Sequence, residues 1–308
     1  MHPTDITIRR EMPGDEGAID AVNCRAFGQM DEAHLVRLIR SYYPAFDHRY
    51  SLTAWYKNEM VGHILFSPAR IRLMGRTVSA LAVAPVSVVP EFQRCGIGGQ
   101  LLRAGHELGR SEGFALAFLL GHPSYYPRHG YQSCLGAVNV TIDVDRLPEP
   151  DVPLRPMPVH PADIPWLVER FAAEWDDVDF SWRRGNSLTE WTLCGTNALI
   201  WWTDDGHRAA YTLGWPRRRG WQMVLAEEPE LAREALAMIR PKKLRQHPAG
   251  WLAQHALDPE WGRADVKRDP AGMVCELETG ALEPYLRAIE DGDRAPGYCT
   301  WPLSFMTC

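Results

Sequence analysis

Residues 86–102 read Val-Ser-Val-Val-Pro-Glu-Phe-Gln-Arg-Cys-Gly-Ile-Gly-Gly-Gln-Leu-Leu. The apolar residues up to Val89 predict a strand, and Pro90 ends it because proline lacks the N–H that a strand interior needs. Three glycines follow, Gly96, Gly98 and Gly99, and from Ile97 onward apolar residues recur with the spacing of one helical face, at Ile97, Leu101, Leu102 and Leu108. A glycine-rich turn before a helix leaves backbone N–H groups unpaired at the positive end of the helix dipole. Because such a turn binds phosphate, the stretch predicts a site for a phosphate-bearing ligand.

The spacing of the glycines excludes two common phosphate loops. A dinucleotide-binding loop needs a third glycine where this chain has Leu101. A nucleoside-triphosphate loop needs a lysine after its last glycine, and no lysine lies between Lys57 and Lys242. The pattern that remains is Gln93-x-x-Gly96-x-Gly98.

The bulk composition is that of an ordinary globular protein, and the length of 308 residues predicts two domains. The net charge of −6 offers no basic surface to a nucleic acid, so no nucleic-acid partner is expected. The seven cysteines are scattered, without the Cys-x-x-Cys spacing of a zinc site, so we expect no metal and a reduced, cytoplasmic setting. The first residues are too polar for a signal peptide and no apolar run approaches the ~18–20 residues of a membrane span, so no membrane partner is expected.

Hydrophobic periodicity predicts an α/β fold. Between residues 5 and 145 the predicted order is β-α-α-β-β-β-α-β-α-β, and the strand at 78–89 enters the glycine-rich turn. The prolines of the stretch 147–153 predict a domain boundary. We therefore expect a first domain at 1–145, a linker at 146–153 and a second domain at 154–308.

Two motifs together resemble the GCN5-related N-acetyltransferase (GNAT) family over residues 5–145. The first is Gln93-x-x-Gly96-x-Gly98 between its strand and its helix, and the second is Tyr126-x-x-x-Gly130-Tyr131 after the fifth strand. The resemblance implies a GNAT fold with a mixed central sheet and acetyl-CoA as the co-substrate. It also implies transfer of the acetyl group to a primary amine of a small molecule or peptide. The alternative on the same fold is a non-catalytic protein that binds or senses acyl-CoA.

The resemblance implies how acetyl-CoA is held. A strand that separates from its neighbour after Val86–Val88 would pair its backbone with the pantetheine arm. The N–H of Val88 would also stabilise the oxyanion of the tetrahedral intermediate. The loop that receives the pyrophosphate would consist of Gln93, Arg94, Cys95, Gly96, Ile97, Gly98 and Gly99.

By the same resemblance, Tyr126 is the general acid that protonates the departing coenzyme A thiolate. Tyr125 is the weaker candidate because it lacks the family's spacing to Gly130. His122 is the first choice for the general base. Two other side chains near the coenzyme in sequence, Glu91 and Ser87, are alternatives.

The resemblance also implies that the acceptor amine binds near the first two helices, where the candidates are Phe27, Asp31, Glu32 and Tyr42. Acidic groups there would suit a cationic amine. Some related multidomain acetyltransferases place a terminal carboxylate in the active site. In this chain that group would belong to Cys308.

The second half faintly repeats the first when it is shifted by 145 positions. A predicted hairpin at 198–214, with an Asp-Gly turn, then falls on the hairpin of the first half. The strand at 221–227 is followed by Glu228-Pro229-Glu230, which has no glycine and would repel a pyrophosphate. We therefore expect a second GNAT-like α/β domain without the coenzyme loop, and the alternative is an unrelated accessory domain.

Overall fold

A computed structural model describes residues 5–192, 197–215 and 220–300. Within these ranges the strands, in chain order, are β1 (Ile6–Arg10), β2 (Ser51–Tyr56), β3 (Glu59–Leu73), β4 (Arg76–Val88), β5 (Leu116–Leu120), β6 (Tyr131–Ser133), β7 (Gly136–Ile142), β8 (Arg155–Pro158), β9 (Asn197–Trp202), β10 (Arg208–Trp215), β11 (Gly220–Ala226), β12 (Lys243–Leu244), β13 (Gly262–Arg268) and β14 (Gly272–Glu276). The helices are α1 (Glu16–Phe27), α2 (Asp31–Tyr42), α3 (Ile97–Ser111), α4 (Ile164–Trp175), α5 (Pro229–Ile239), α6 (Trp251–His255) and α7 (Glu283–Glu290). The described strands form two seven-stranded sheets, which confirms a mixed α/β fold. None of the described helices is long and apolar enough to cross a bilayer.

The first sheet has the strand order β1-β2-β3-β4-β5-β14-β6. Strands β1 to β4 are antiparallel neighbours, whereas β4 and β5 run parallel and are joined through α3. Side chains alternate along β3, so His63 contacts Asn23 of α1 while Gly62 faces Leu101 of α3. Helices α1 and α3 therefore cover opposite faces of this sheet, and α3 begins just past the end of β4.

The predicted order of elements is confirmed from β1 to β5, but the last strand of the first half departs from it. The last strand of the predicted order, before residue 145, forms as β7 and lies in the second sheet, between β13 and β12. Its place in the first sheet is taken by β14, which pairs antiparallel with both β5 and β6. Each half of the chain thus contributes one strand to the sheet of the other, and we call β7 and β14 the exchanged strands.

Packing explains where the exchanged strands lie. Alternate residues of β7 are buried, and Val140 and Ile142 belong to the hydrophobic core of the second sheet. In the first sheet, Met273 and Val274 of β14 belong to the core that also contains Phe118 of β5. Both strands bury apolar side chains that would face water if each half closed on itself.

The second sheet has the order β13-β7-β12-β11-β10-β9-β8. The predicted hairpin is confirmed as β9 and β10, and β11-α5-β12 repeats the strand-helix-strand arrangement of β4-α3-β5. Met223 and Leu225 of β11 pack in one core with α4, whereas Val224 and Ala226 pack in another with α5. Helices therefore cover both faces of this sheet as well.

The stretch 146–153 contains no helix or strand, as expected of a linker. Leu147 and Leu154 nevertheless are buried in the core of the second sheet, so the two ends of this stretch are anchored. The division into domains at 1–145 and 154–308 stays a prediction.

Candidate active site

A cavity of about 730 Å³ opens where β4 meets the start of α3. Its walls come from β4, the end of β5, the segment after β5 and the junction of α1 with α2. The lining residues are Phe27, Glu32, Val83, Ala84, Pro85, Val86, Val88, Phe92, Gln93, Arg94, Gly96, Ile97, Gly98, Leu120, Gly121, His122, Tyr125, Tyr126 and Arg128.

The cavity exists because β4 and β5 diverge. The two strands pair as far as Ala82 and Phe118, and beyond this pair β4 continues without a partner on that side. The sequence predicts that β4 leaves its neighbour only after Val86–Val88. This prediction is wrong, because β4 and β5 separate already after Ala82. Near this point the register between β3 and β4 shifts, between the pairs Ile64–Val86 and Phe66–Val83. Pro85, which lies within the shift, has no N–H to donate.

The register of β4 determines which backbone groups face the cavity. The N–H of Val89 donates to the carbonyl oxygen of Val61 on β3, 3.0 Å away. In an antiparallel ladder, bonded positions alternate, so the N–H and C=O groups of Val86 and Val88 point away from β3. These groups therefore lie at the open edge. The Val86 groups and the Val88 N–H are available there to an extended ligand, whereas the Val88 carbonyl oxygen already accepts from the Gln93 side chain.

The glycine-rich turn presents free amides at the start of α3. Gly96 has a left-handed φ of 79°, which lets the chain turn directly from the loop into the helix. The first helical hydrogen bond runs from the Gln100 N–H to the Gly96 carbonyl, at 3.1 Å. The N–H groups of Ile97, Gly98 and Gly99 consequently have no helical acceptor, and the helix dipole favours an anion beside them.

Several residues predicted for the loop differ in what they contact. The Gln93 side chain donates from Nε2 to the carbonyl oxygen of Val88, at 3.0 Å, so it braces the loop against β4. Arg94 is exposed and lines the cavity, whereas Cys95 and Gly99 lie outside its wall. Gly99 packs on His129, since an added Cβ would lie 2.7 Å from the imidazole ring.

Tyr126 lines the cavity from the segment after β5 and is held by close packing. Its ring meets Tyr125 edge-on with centroids 5.1 Å apart, and Tyr131 with centroids 5.7 Å apart. Gly121 is required beside it, because an added Cβ would lie 2.1 Å from the Tyr126 ring. Burial raises the pKa of Tyr126 to about 12, so the phenol keeps its proton at neutral pH.

Of the three side chains considered for the general base, His122 alone lines the cavity. It is exposed, and its Nδ1 lies 3.0 Å from the Ser124 hydroxyl oxygen. Ser87 is buried and donates to Asn23 on the α1 face of the sheet, away from the cavity. Glu91 is exposed and forms an ion pair with Arg25 at 3.2 Å.

On the acceptor side, Phe27 and Glu32 line the cavity, but Asp31 does not. Adjacent helical residues point about 100° apart, so the first turn of α2 directs Glu32 inward and leaves Asp31 exposed. Leu120 and Arg128, which are not among the predicted site residues, also line the cavity. Their position directly after β5 and within the Tyr126 motif could have indicated both.

The second half contains the same strand-helix-strand arrangement without an open edge. Strands β11 and β12 pair at Trp221 and Leu244, and past this pair Gln246 donates from Nε2 to the carbonyl oxygen of Val224, at 2.7 Å. Gln246 is fully buried. A side chain of the protein itself therefore occupies the strand edge that is open in the first sheet.

Two further expectations concern other parts of the chain. Cys308 and its carboxylate lie outside the described residues. Among the residues that are described, no group of three or more His, Cys, Asp and Glu side chains is arranged to hold a metal ion.

Comparison with known proteins identifies the relatives of the first half. A family model described as an acetyltransferase (GNAT) domain matches residues 7–134. The uncharacterized N-acetyltransferase YjhQ of Escherichia coli K12 is 43% identical over 127 residues, which are 40% of this chain and 67% of that protein.

Solved structures extend the likeness to both halves. A conserved protein from Enterococcus faecalis V583, described as a probable N-acyltransferase, aligns over 90% of this chain and 74% of its own with a TM-score of 0.69 and 14% identity. A GCN5-related N-acetyltransferase from Kribbella flavida aligns over 90% and 73% with a TM-score of 0.68 and 18% identity. At this identity the likeness concerns the fold, and it is consistent with a second GNAT-like unit after the first.

Proposed function

This chain belongs to the GNAT acetyltransferase family, and we propose that it transfers an acetyl group from acetyl-CoA to a primary amine of a small molecule or peptide. The proposal rests on one observation, which is that three features needed for acetyl transfer line the same cavity. An unpaired strand edge, free helix amides and a protonated tyrosine all line it.

Different parts of the cavity wall can bind the pantetheine arm and the pyrophosphate of acetyl-CoA. The amides of the pantetheine arm pair with the backbone of Val86 and Val88, in the way that an added strand pairs with a sheet edge. The pyrophosphate accepts hydrogen bonds from the free amides at the start of α3. Arg94 and Arg128, which also line the cavity, supply positive charge.

Transfer then takes place by direct attack in a ternary complex. The amine nitrogen forms a bond to the thioester carbonyl carbon, and the N–H of Val88 donates to the oxyanion that results. When the tetrahedral intermediate collapses, the C–S bond breaks and the sulfur keeps the electron pair. Tyr126 gives its phenolic proton to that sulfur and regains one from solvent.

His122 accepts the proton that the amine must lose. Nε2 takes this proton, while the Nδ1–H donates to the Ser124 hydroxyl oxygen, 3.0 Å away. Because His122 is exposed, it returns the proton to solvent.

The test measures release of the coenzyme A thiol with acetyl-CoA and a panel of primary amines. Tyr126→Phe is expected to lower kcat by about 10²–10⁴-fold while the acetyl-CoA Kd changes less than twofold. Tyr42→Phe, at an exposed tyrosine that does not line the cavity, is the matched control and should keep wild-type activity. Saturable acetyl-CoA binding by the wild type without turnover of any amine would overturn the proposal and favour an acyl-CoA sensor.

A further inference from the structure

Glu32 is a buried carboxylate in the wall of the cavity. Its residue is 6% exposed, and it is the one acidic side chain among the described lining residues. In the described part of the chain its hydrogen-bonding partner is Gln29, whose Nε2 lies 3.4 Å from each carboxylate oxygen. These are long contacts for a charged acceptor, and no ion pair to Glu32 is formed there.

The fold tolerates this carboxylate because of where it sits. Glu32 is in the first turn of α2, where the helix dipole favours negative charge. A buried charge is nevertheless costly without an opposite charge beside it. The cavity therefore offers a site at which a cation would be stabilised.

The charges of the cavity wall are segregated. Arg94 belongs to the glycine-rich loop and Arg128 to the Tyr126 segment, whereas Glu32 comes from the junction of α1 and α2. The basic wall suits the phosphates of the coenzyme, and the acidic wall suits a positively charged acceptor.

Large apolar side chains are exposed in the same cavity. Phe27, at the end of α1, is 43% exposed, and Leu120, at the end of β5, is 54% exposed. Both line the cavity. Covering them with an apolar group would remove this surface from water, which is favourable.

We infer that Glu32 anchors the ammonium group of the acceptor, and that the acceptor carries an apolar arm that packs on Phe27 and Leu120. This inference rests on the proposed function and narrows its substrate class to cationic amines with an apolar substituent and no carboxylate. A carboxylate next to the amine, as in an amino acid, would be repelled by Glu32.

The experiment uses the full chain and 2-phenylethylamine as the probe. Its Kd is measured by calorimetry in the presence of coenzyme A, and its KM in the thiol-release assay. Glu32→Gln keeps the shape of the side chain and removes its charge, so both constants should rise about 10–100-fold while the acetyl-CoA Kd stays within twofold. Glu16→Gln is the control, because Glu16 is an exposed acid in the first turn of α1 outside the cavity.

Two further comparisons test the apolar arm and the fold. Phe27→Ala should weaken 2-phenylethylamine about tenfold or more and leave ethylamine unchanged, and L-phenylalanine should bind wild type at least tenfold more weakly than 2-phenylethylamine. Equal binding of the probe to wild type and Glu32→Gln, or equal weakening by Glu16→Gln, overturns the inference. If the probe binds through Glu32 but no amine is acetylated, the proposed function fails, and the cation bound at Glu32 is not an acetyl acceptor.

Discussion

The N–H of Gly121 donates to the carbonyl oxygen of Ala271, 2.9 Å away. This bond joins the segment that carries Tyr126 to the residue just before exchanged strand β14. A second contact follows along the same strand, where Cys275 Sγ lies 3.8 Å from the carbonyl oxygen of His129. The second half of the chain therefore supports the position of a cavity residue of the first half.

A chain that ends at residue 145 should fail to form the first sheet. Without β14, the edge of β5 loses its partner, and Val140 of β7 loses the core in which it is buried. An unpaired apolar strand edge promotes aggregation. We expect no cooperative thermal transition by circular dichroism and no acetyl-CoA binding by calorimetry.

The matched control is the full chain with a protease site inserted at the exposed Glu149. After cleavage the two pieces should elute together in size-exclusion chromatography, because β7 and β14 still connect the sheets. Separation of the pieces, or cooperative unfolding of the chain that ends at 145, would show that each half folds on its own.

Gly121→Ala should impair turnover more than folding. The added Cβ would lie 2.1 Å from the Tyr126 ring, so the ring must move. A displacement of about 1 Å in a catalytic group can lower kcat about 100-fold. Steady-state kinetics with acetyl-CoA measures the effect. Gly17→Ala, where an added Cβ meets nothing within 4 Å, should leave kcat unchanged; equal kcat for both variants and wild type would contradict the expected displacement.

His106 should make the protein less stable as the pH falls below neutrality. Burial lowers the pKa of His106 to about 4, below the ~6.5 of an unfolded histidine, so the unfolded chain binds a proton that the folded chain excludes. Its contribution is present above pH ~6.5 and is lost as the pH falls toward about 4, at up to ~1.4 kcal/mol per pH unit.

Urea unfolding at pH 5, 6 and 7 tests this, with His106→Gln as the comparison. The free energy of unfolding of the variant should fall less steeply with decreasing pH than that of wild type. Taking the difference between the two proteins cancels other groups, including Glu174, whose buried carboxyl has a pKa raised to about 8 and acts in the opposite direction. If the free energy of unfolding falls equally steeply with pH for the two proteins, His106 has the same pKa in the folded and the unfolded chain, and the prediction is wrong.

Calorimetry should give one acetyl-CoA per chain. In the second half, Gln246 occupies the strand edge by bonding to Val224, and α5 starts without a glycine turn. Gly98→Glu, which places a bulky anion among the free amides of α3, should abolish all binding. Residual binding at half the original stoichiometry would reveal a second site. Gly17→Ala, at an exposed helical glycine where an added Cβ meets nothing within 4 Å, is the control for the titration.

Local constraints made the glycine-rich turn and the start of α3 predictable from the sequence. The turn needs Gly96 in a left-handed conformation, and the apolar spacing from Ile97 onward is that of one helix. Glu32 could also have been separated from Asp31, since it shares its helical face with Leu35 and Ile39, which are both buried.

The exchange of β7 and β14 between the two sheets could not be predicted from local sequence. The five residues of β14, from Gly272 to Glu276, have a pattern that would suit many sheet edges. Which strand they join is decided by long-range packing against Phe118 and its neighbours, and no local preference encodes that choice. The early end of pairing between β4 and β5 at Ala82 likewise depends on register with β3.

The exchanged strands also set an order of events during synthesis. The ribosome synthesises β5 long before β14. The edge of β5 in the first sheet therefore stays unpaired until residues 272–276 have emerged. Contacts between distant parts of a chain form slowly, and the waiting strand is a target for chaperones or for a second nascent chain. The cavity at the start of α3 thus takes its final shape near the end of translation, although most of its residues are among the first to be made.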